Sequence, residues 1–562
     1  MRSRIATVSM LVVVVGAWGG AKALGKTEVP FHRGVNLTSW LQVGSVRQIQ
    51  FGMFTKQDLV NIKSLGCDVI RLPINLHHMT SGAPKYTVDP LFFYFLDQIV
   101  DWCEELGIHL ILDNHTGDVD AAGNTDGNID KVLVPVWSQM AAHYQNRSPY
   151  VYYEILNEPH GIADSRWSQI QEQVIFAIRA VDRVHTIIVT GAGWGSYNNL
   201  QFLPVGRDDN LIYTFHFYDP FMFTHQGASW TDPSMVPLAG VPFPYGAGPM
   251  PACPPGLKGT WIESSLKAYV NDGTVQHVKG LIDTAIRFRD ERDVPVFCGE
   301  LGVYRLNSDN DQRVYWYKVV RSYLQENDIP WTMWDYEGGF GLFKKGTNEQ
   351  FEHDLNLPLV QALGLTAPPQ TPLVVTPERT SFDIYTDYMA DGIRNVSNVG
   401  HGTLDFYCDT LPKNGLYCIR CTGFDRYNNI GFDLRPNKDL TFLVSSGYVL
   451  DFWVRGDTPG ARFDVRFLDT KTADPADHPW RKNATIDQTI APWDGQWHHV
   501  QIPLQSFVDG GSWDNTWFPP PGSFDWSAVD CFQIVSEYHD FVGMQFWFDD
   551  IRIAPAPGSR LR

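Results

Sequence analysis

Apolar residues fall into two regimes along this chain. Up to about residue 365, short β-branched or aromatic runs alternate with stretches whose apolar positions recur every three or four residues. Beyond about 378 the helical period is gone and short alternating strands take over. In the first regime the runs predict strands at about 33–37, 68–73, 108–113, 151–157, 186–190, 211–217, 294–299 and 329–334. Amphipathic helices are predicted over Thr55 to Leu65, with Thr55 as N-cap and Gly66 as stop, and over Asp89 to Leu106, Ser165 to Val184, Thr274 to Arg292 and Asp309 to Asn327. Eight strands, each followed by a helix or crossover, indicate an α/β fold of the (β/α)8 TIM-barrel type, with a doubly wound open sheet as its rival.

The connection at about 218–262 is long and rich in Pro, Gly and aromatics, as lids and binding walls are. Trp230, Tyr245 and Trp261 either line a groove there or only pack the loop on the barrel. Thr366-Ala367-Pro368-Pro369-Gln370-Thr371-Pro372 and Pro377 mark a stiff linker over 366–377. Strands at 448–454, 462–467, 498–502 and 545–551, separated by turn-rich loops, predict an all-β jelly-roll sandwich over 378–556.

At 562 residues the chain is too long for one ordinary core and long enough for a barrel plus a second module. Hydrophobic residues at 44% and charged residues at 19% are globular values. The net charge of −19 argues against nucleic acid and anionic lipid as partners, because both repel such a surface. Aromatic residues reach 13%, with 19 Trp, which suits a neutral ligand that stacks, sugars above all.

Arg2 and Arg4 precede the apolar run Met10-Leu11-Val12-Val13-Val14-Val15 and then Ala21-Lys22-Ala23. This is the pattern of a secretory signal peptide over 1–23, too short to span a membrane, so an exported protein starting near Leu24 is expected, extracellular or periplasmic. Eight cysteines leave pairing open, and Cys418-x-x-Cys421 lacks the second ligand pair a zinc site needs. Cys298, in an apolar strand, reads as a buried small hydrophobe. Asn36, Asn146, Asn395 and Asn483 head glycosylation sequons, which matter only in a eukaryotic host.

Candidate chemistry gathers at strand tips, where such barrels keep it. In Val151-Tyr152-Tyr153-Glu154-Ile155-Leu156-Asn157-Glu158-Pro159 the proline ends the ladder and leaves Asn157 and Glu158 at the carboxyl tip of the fourth strand. Val296-Phe297-Cys298-Gly299-Glu300 puts a second Glu at the tip of the seventh. Two carboxyl groups facing each other across a barrel mouth are what glycoside hydrolysis requires, one to give a proton to the leaving oxygen and one to handle the anomeric carbon. Arg71 is odd inside the apolar Val69-Ile70-Arg71-Leu72-Pro73, and a buried Arg needs a carboxylate. His115, His216, Tyr218 and Trp334 close three further strands.

As a set these residues resemble glycoside hydrolase family 5, the retaining cellulase-type barrels, over about 30–365. The resemblance implies Glu158 as acid/base and Glu300 as nucleophile. By it, Arg71 and Tyr218 would hold the nucleophile charged and Asn157 would bond the sugar 2-hydroxyl. His115 and His216 would orient sugar and acid, and Trp334 would floor the subsite at the cleaved bond. His115 is followed by Thr116 where many relatives carry a second His. The implied activity is that of an endo-β-1,4-glucanase acting as a monomer on β-glucan without a cofactor. Another β-glycan, or a catalytically silent glycan-binding protein, is the alternative.

The C-terminal part resembles the β-sandwich carbohydrate-binding modules appended to such enzymes, through Phe548-Asp549-Asp550-Ile551-Arg552-Ile553. Trp480, Trp493, Trp497, Trp513 and Trp517 could form a stacking platform, or the domain could pack on the barrel and extend its cleft. A structural calcium near Asp549 or Asp550 with Asp383 is a further expectation.

Overall fold

The computed structural model describes residues 28–116, 128–204 and 208–556. The expected signal segment, 1–23, lies outside them. Strands β1 (Arg33–Asn36), β2 (Val69–Ile74), β3 (His109–Asn114), β4 (Val151–Glu154), β5 (Thr186–Thr190), β6 (Leu211–Phe217), β7 (Val296–Leu301) and β8 (Trp331–Met333) close into a parallel barrel. Pairing of β1 with both β2 and β8 removes the open-sheet rival.

Helices α1 (Lys56–Ser64), α2 (Pro90–Leu106), α3 (Asp130–Tyr144), α4 (Asp164–Arg179), α5 (Phe221–Thr224), α6 (Trp261–Asp272), α7 (Val275–Arg292), α8 (Asn310–Glu326) and α9 (Leu357–Ala362) accompany it. The sequence pattern passes over α3, which carries Pro135. The expected helix at 165–184 stops at Arg179, and Glu300 lies inside β7 rather than beyond it.

Side-chain alternation explains how the barrel builds a site. Val69, Ile111, Tyr152, Ile188, Ile212 and Phe297 form a buried apolar plug with Phe31 in its interior. Two residues further along the same strands stand Arg71, Asp113, Glu154, Thr190, Thr214 and Gly299, all inward by the period of two. The apolar layer is therefore the floor of a polar one.

Beyond the barrel come β9 (Phe382–Tyr385), β10 (Ile393–Asn395), β11 (Thr403–Cys408), β12 (Cys418–Thr422), β13 (Asn429–Lys438), β14 (Tyr448–Gly456), β15 (Phe463–Asp469), β16 (Arg481–Ile486), β17 (His498–Pro503), β18 (Val508–Asp509), β19 (Ser512–Trp513), β20 (Trp517–Phe518), β21 (Val529–Val535) and β22 (Gln545–Pro555). They form two facing antiparallel sheets, β10-β13-β21-β15-β16-β18 and β11-β12-β22-β14-β17, plus the β19-β20 hairpin. Phe432, Phe463, Phe467, Phe532 and Phe546 fill the space between.

The segment 366–377 is pinned rather than free, since Thr366 N–H donates to Leu65 O and Thr371 N–H to Glu352 O. The sandwich itself docks on the loop after β1. Gln50 acts as a surrogate strand: its Oε1 accepts the Asn395 N–H at 2.8 Å and its Nε2 donates to Ile393 O. Arg47 donates to Tyr407 O at 2.6 Å, and the Tyr407 ring packs 5.0 Å from Phe95. One hydrophobic core runs through both units. Among the described residues no helix is long and apolar enough to cross a membrane.

Candidate active site

Arg71, fully buried on β2, organises the barrel mouth. Its Nε and Nη2 donate to the two oxygens of Glu154, each at 2.8 Å. Nη1 donates to Glu300 Oε1 at 2.7 Å and to Asn36 Oδ1 at 3.0 Å. Nη2 also reaches Asn157 Oδ1 at 2.8 Å and Asp113 Oδ2 at 3.0 Å. One guanidinium thus serves three buried carboxyl groups and cannot neutralise all of them. Burial accordingly pushes Asp113 up to about 7 and Glu154 above its ordinary range, against the pull of Arg71.

Glu300 is fixed at both oxygens, since Tyr218 Oη donates to Oε2 at 2.7 Å. Gly299 before it leaves room for the imidazole of His216, because a Cβ there would sit 3.3 Å from Nε2 and 2.7 Å from Thr214 Oγ1. His216 Nδ1 shares a hydrogen bond of 2.8 Å with Glu158 Oε1 and lies 3.4 Å from Glu300 Oε2. Ligand atoms of Glu158, His216 and Glu300 all lie within 4.8 Å of one another. The two glutamates therefore meet in one cavity.

Glu158 lies beyond the end of β4 and has a left-handed φ of 44°. Its carboxyl is raised by burial, against the opposing pull of the Arg71 guanidinium. Burial also pushes His216 and His115 down to about 4, so both rings are neutral at neutral pH. His115 Nδ1 lies 2.7 Å from Asp113 Oδ2, and its ring stacks on Trp334 at 5.2 Å. Thr116 accepts the His77 N–H at 3.0 Å.

The cleft around these groups measures about 1100 Å³. Trp194, Trp230, Trp261, Tyr304 and Phe340 line it. Trp230 and Trp261 from the long loop thus face the groove. Tyr245 does not, lying instead against Tyr269 with ring centroids 6.5 Å apart. Trp194 is 59% exposed and stacks on His160 at 4.7 Å.

The structure brings together Arg71, His115, Asn157, Glu158, His216, Tyr218, Glu300 and Trp334. Sequence reading missed Asn36, Asp113, Glu154 and Asp335. Asn36, read only as a sequon, is fully buried and donates to Gly299 O at 3.2 Å and Met333 O at 3.1 Å. A charged residue inside an apolar strand run, the signal that marked Arg71, was equally present at Asp113 and Glu154.

Glu158, His216 and Glu300 are also, among the described residues, the one group spaced to hold a metal ion. Arg71 and Tyr218 already bond both oxygens of Glu300, which suits an organic substrate better than a cation.

In the sandwich, one expectation is corrected. Among the described residues no group of three ligating side chains forms around Asp549, Asp550 and Asp383. The Asp549 carboxylate accepts the N–H groups of Lys413, Asn414 and Asp550 at 2.8–3.1 Å, fastening a hairpin loop, while Asp383 is exposed on β9. Trp493 is 6% exposed and part of the core, its indole N–H donating to Ala461 O, so it belongs to no platform. Trp480 and Trp497 are half-buried, whereas Trp513 and Trp517 stand out at 59% and 47% exposure.

Comparison with known proteins gives two family matches. The model described as "Cellulase (glycosyl hydrolase family 5)" covers residues 31–339, and "Carbohydrate binding domain 30" covers 390–555. Endoglucanase 3 of Fibrobacter succinogenes is 29% identical over 344 residues, 56% of this chain and 51% of that relative. Endoglucanase C of Acetivibrio thermocellus is 29% identical over 321 residues, 55% of this chain and 92% of the relative. The chain thus spans about half of the first relative and nearly all of the second. A solved hyperthermophilic endo-beta-1,4-glucanase in complex with substrate shares the barrel fold, at 24% identity and TM-score 0.50, over 59% of this chain and 96% of that one.

Proposed function

The chain belongs to the glycosyl hydrolase family 5 cellulases, and on that premise we propose that it is a secreted, retaining endo-β-1,4-glucanase. It is a glycoside hydrolase, and hydrolases of this family need no cofactor for catalysis. In the proposed reaction Glu300 attacks the anomeric carbon while Glu158 gives its proton to the leaving oxygen. Water, deprotonated by Glu158, then releases the sugar from Glu300, and configuration is retained over the two displacements.

The observation that carries this reading is the spacing of the two carboxyl groups. Oxygens of Glu158 and Glu300 come within 4.8 Å, whereas inverting enzymes hold their pair about 6.5–9.5 Å apart to admit a water. The two environments also divide the roles. Glu158 is raised by burial and carries a proton to give, while Glu300 meets Arg71 and Tyr218 at both oxygens. The aromatic lining of the cleft suits the apolar faces of sugar rings. Endoglucanase relatives favour a β-1,4-glucan as substrate. The charged start, apolar run and Ala-Lys-Ala site favour export.

Reducing sugar released from a panel of soluble β-glycans by wild type, Glu300→Ala and Glu158→Ala tests the reading. Cleavage is expected on β-1,4-linked glucan with retained configuration in the first product, and Glu300→Ala should lose at least about 10³-fold in kcat/KM. Full activity in Glu300→Ala, or an inverted first product, would remove the assignment.

A further inference from the structure

Two of the eight cysteines face each other. In the β11-β12 ladder Cys408 pairs directly with Cys418. Directly opposed residues of an antiparallel pair hold their Cα atoms about 4.5–5.5 Å apart, and a disulfide spans about 4.4–6.8 Å. Cys418 Sγ lies 3.4 Å from Cys408 O. Ile419 and Cys421 turn into the sandwich core, so by alternation Cys418 points to the outer face of its sheet. There the two thiols form a small cluster of their own with Trp547, and Trp497 packs against it. The other strand cysteines oppose different residues. Cys421 faces Leu404 and Phe546, Cys531 faces Asp433 and Leu468, and Cys298 faces Phe215 and Trp331.

The pair stands at the neck of the loop 409–417, which is otherwise held by hydrogen bonds alone. Asp549 accepts from Lys413 and Asn414, and Asp387 accepts the Leu416 N–H at 2.6 Å and the Tyr417 N–H at 2.8 Å. Trp497 Nε1 donates to Leu411 O at 3.0 Å. Beside Cys408 is Tyr407, through which the sandwich docks on the barrel. Its carbonyl accepts from Arg47, and its hydroxyl donates to Ile49 O. A covalent bond at this neck fixes both the loop and the end of β11 that carries the junction. The two thiols also differ in acidity. The Cys418 thiol, within hydrogen-bonding reach, pulls Cys408 from 9.0 down to about 6 against the effect of burial, while Cys418 itself is pushed up. One member of the pair is thus a thiolate near neutral pH, the form that attacks a disulfide. Burial instead pushes Cys67 and Cys421 up to about 12.

We propose that Cys408 and Cys418 are a site of disulfide formation, and that the bond staples the 409–417 loop and the adjoining barrel–sandwich junction. The oxidant is an external disulfide, that of a dithiol oxidoreductase or of oxidised glutathione, met in an oxidising compartment. The Cys408 thiolate attacks one sulfur of that disulfide, whose S–S bond breaks and releases a first thiolate. Cys418 gives up its proton and attacks the Cys408 sulfur, which releases the second thiolate. Two cysteine thiols are thereby oxidised to one disulfide. Their two electrons reduce the oxidant, and the two protons they shed end on its two thiols. Neither sulfur belongs to the main core, so access requires only that the outer-face cover lift. The site is independent of the barrel's activity and takes only its oxidising setting from the export reading.

The test uses the full chain, folded with oxidised and reduced glutathione present. Free thiols are blocked with N-ethylmaleimide, and the unfolded chain is then digested with trypsin. Cleavage after Arg394, Lys413 and Arg420 separates Cys408 from Cys418, each the only cysteine of its peptide. The expected result is peptide 395–413 linked to peptide 414–420, with the link lost on treatment with dithiothreitol. The oxidised chain is expected to melt about 2–3 °C above the reduced one. Cys408→Ala/Cys418→Ala is expected to melt at one temperature with and without reductant. Recovery of both peptides carrying the blocking reagent, or of either linked to another cysteine, overturns the site. A linked pair whose reduction leaves the melting temperature unchanged overturns its role as a staple. Hydrolysis does not enter either readout, so failure of the barrel reading is a separate outcome.

Discussion

Arg71 grips Glu154 with two hydrogen bonds of 2.8 Å, so the guanidinium that bonds Glu300, the proposed nucleophile, is itself held by a second buried carboxyl group. The planar fork of Arg supplies five directed donors, and Lys cannot reproduce them from a single point. Arg71→Lys should therefore lower stability by about 1–3 kcal/mol, the cost of buried acceptors left without a donor, and lower kcat by more than the stability loss alone explains. Denaturant unfolding and steady-state kinetics check this. A Lys variant of wild-type stability and kcat would refute the arrangement.

Glu158, the proposed acid, is raised by burial, and in that role it works only while it keeps its proton. Activity should thus fall on the alkaline side as Glu158 loses that proton, and this limb of the kcat/KM profile belongs to it. In Glu158→Gln the alkaline limb should vanish, with kcat/KM on polymer reduced about 10²–10⁴-fold. A substrate with a leaving group that needs no proton should suffer far less in the bond-breaking step. An alkaline limb that persists unchanged in Glu158→Gln would assign the acid elsewhere.

Asp335 lies 5% exposed at the cleft wall, accepts the Thr38 hydroxyl at 3.0 Å and leaves Oδ1 buried without a partner. Burial pushes its carboxyl up from 3.8 to about 7. The folded state therefore binds this proton more tightly than the unfolded chain does. The stability it contributes is complete below about pH 4 and is lost as pH rises through 7, to the extent of roughly 2–4 kcal/mol. Asp113 and Glu337, also raised to about 7 by burial, act in the same direction. Asp335→Asn should flatten the decline of unfolding free energy between pH 5 and pH 8, and equal slopes in variant and wild type would sink the idea.

Gln50, Arg47 and Tyr407 join the two units through backbone groups, and the hydrophobic core is continuous between them. Barrel and sandwich should unfold in one calorimetric transition, and Gln50→Ala should lower its midpoint by a few degrees without splitting it. Two well-separated transitions in wild type would mean that the units are thermodynamically independent.

How much of this was legible in the sequence depended on whether the signal was local. The strand runs, Pro159 after Glu158 and the Pro-rich segment at 366–377 marked the elements and their order. Period-two alternation and the oddity of Arg71 within an apolar strand were readable for the same reason. Glu154 and Asp113 offered the same oddity, but their meaning depends on Arg71 lying against both, on two other strands. Asn36 is the plainest case: its own neighbours spell a glycosylation sequon, while closure of β1 against β8 buries it under Gly299 and Met333.

The chain by itself determined a barrel followed by a sandwich and the residue types at the strand tips, because backbone preference and side-chain period act over a few residues. Only the tertiary structure decided that Glu158 and Glu300, 142 positions apart, share one cavity. It alone decided that Trp493 is core while Trp513 and Trp517 are surface, that Asp549 fastens a loop, and that β10 docks its edge on Gln50. Those outcomes rest on barrel closure and sheet register, which bring distant segments together and leave no trace in any short stretch of sequence.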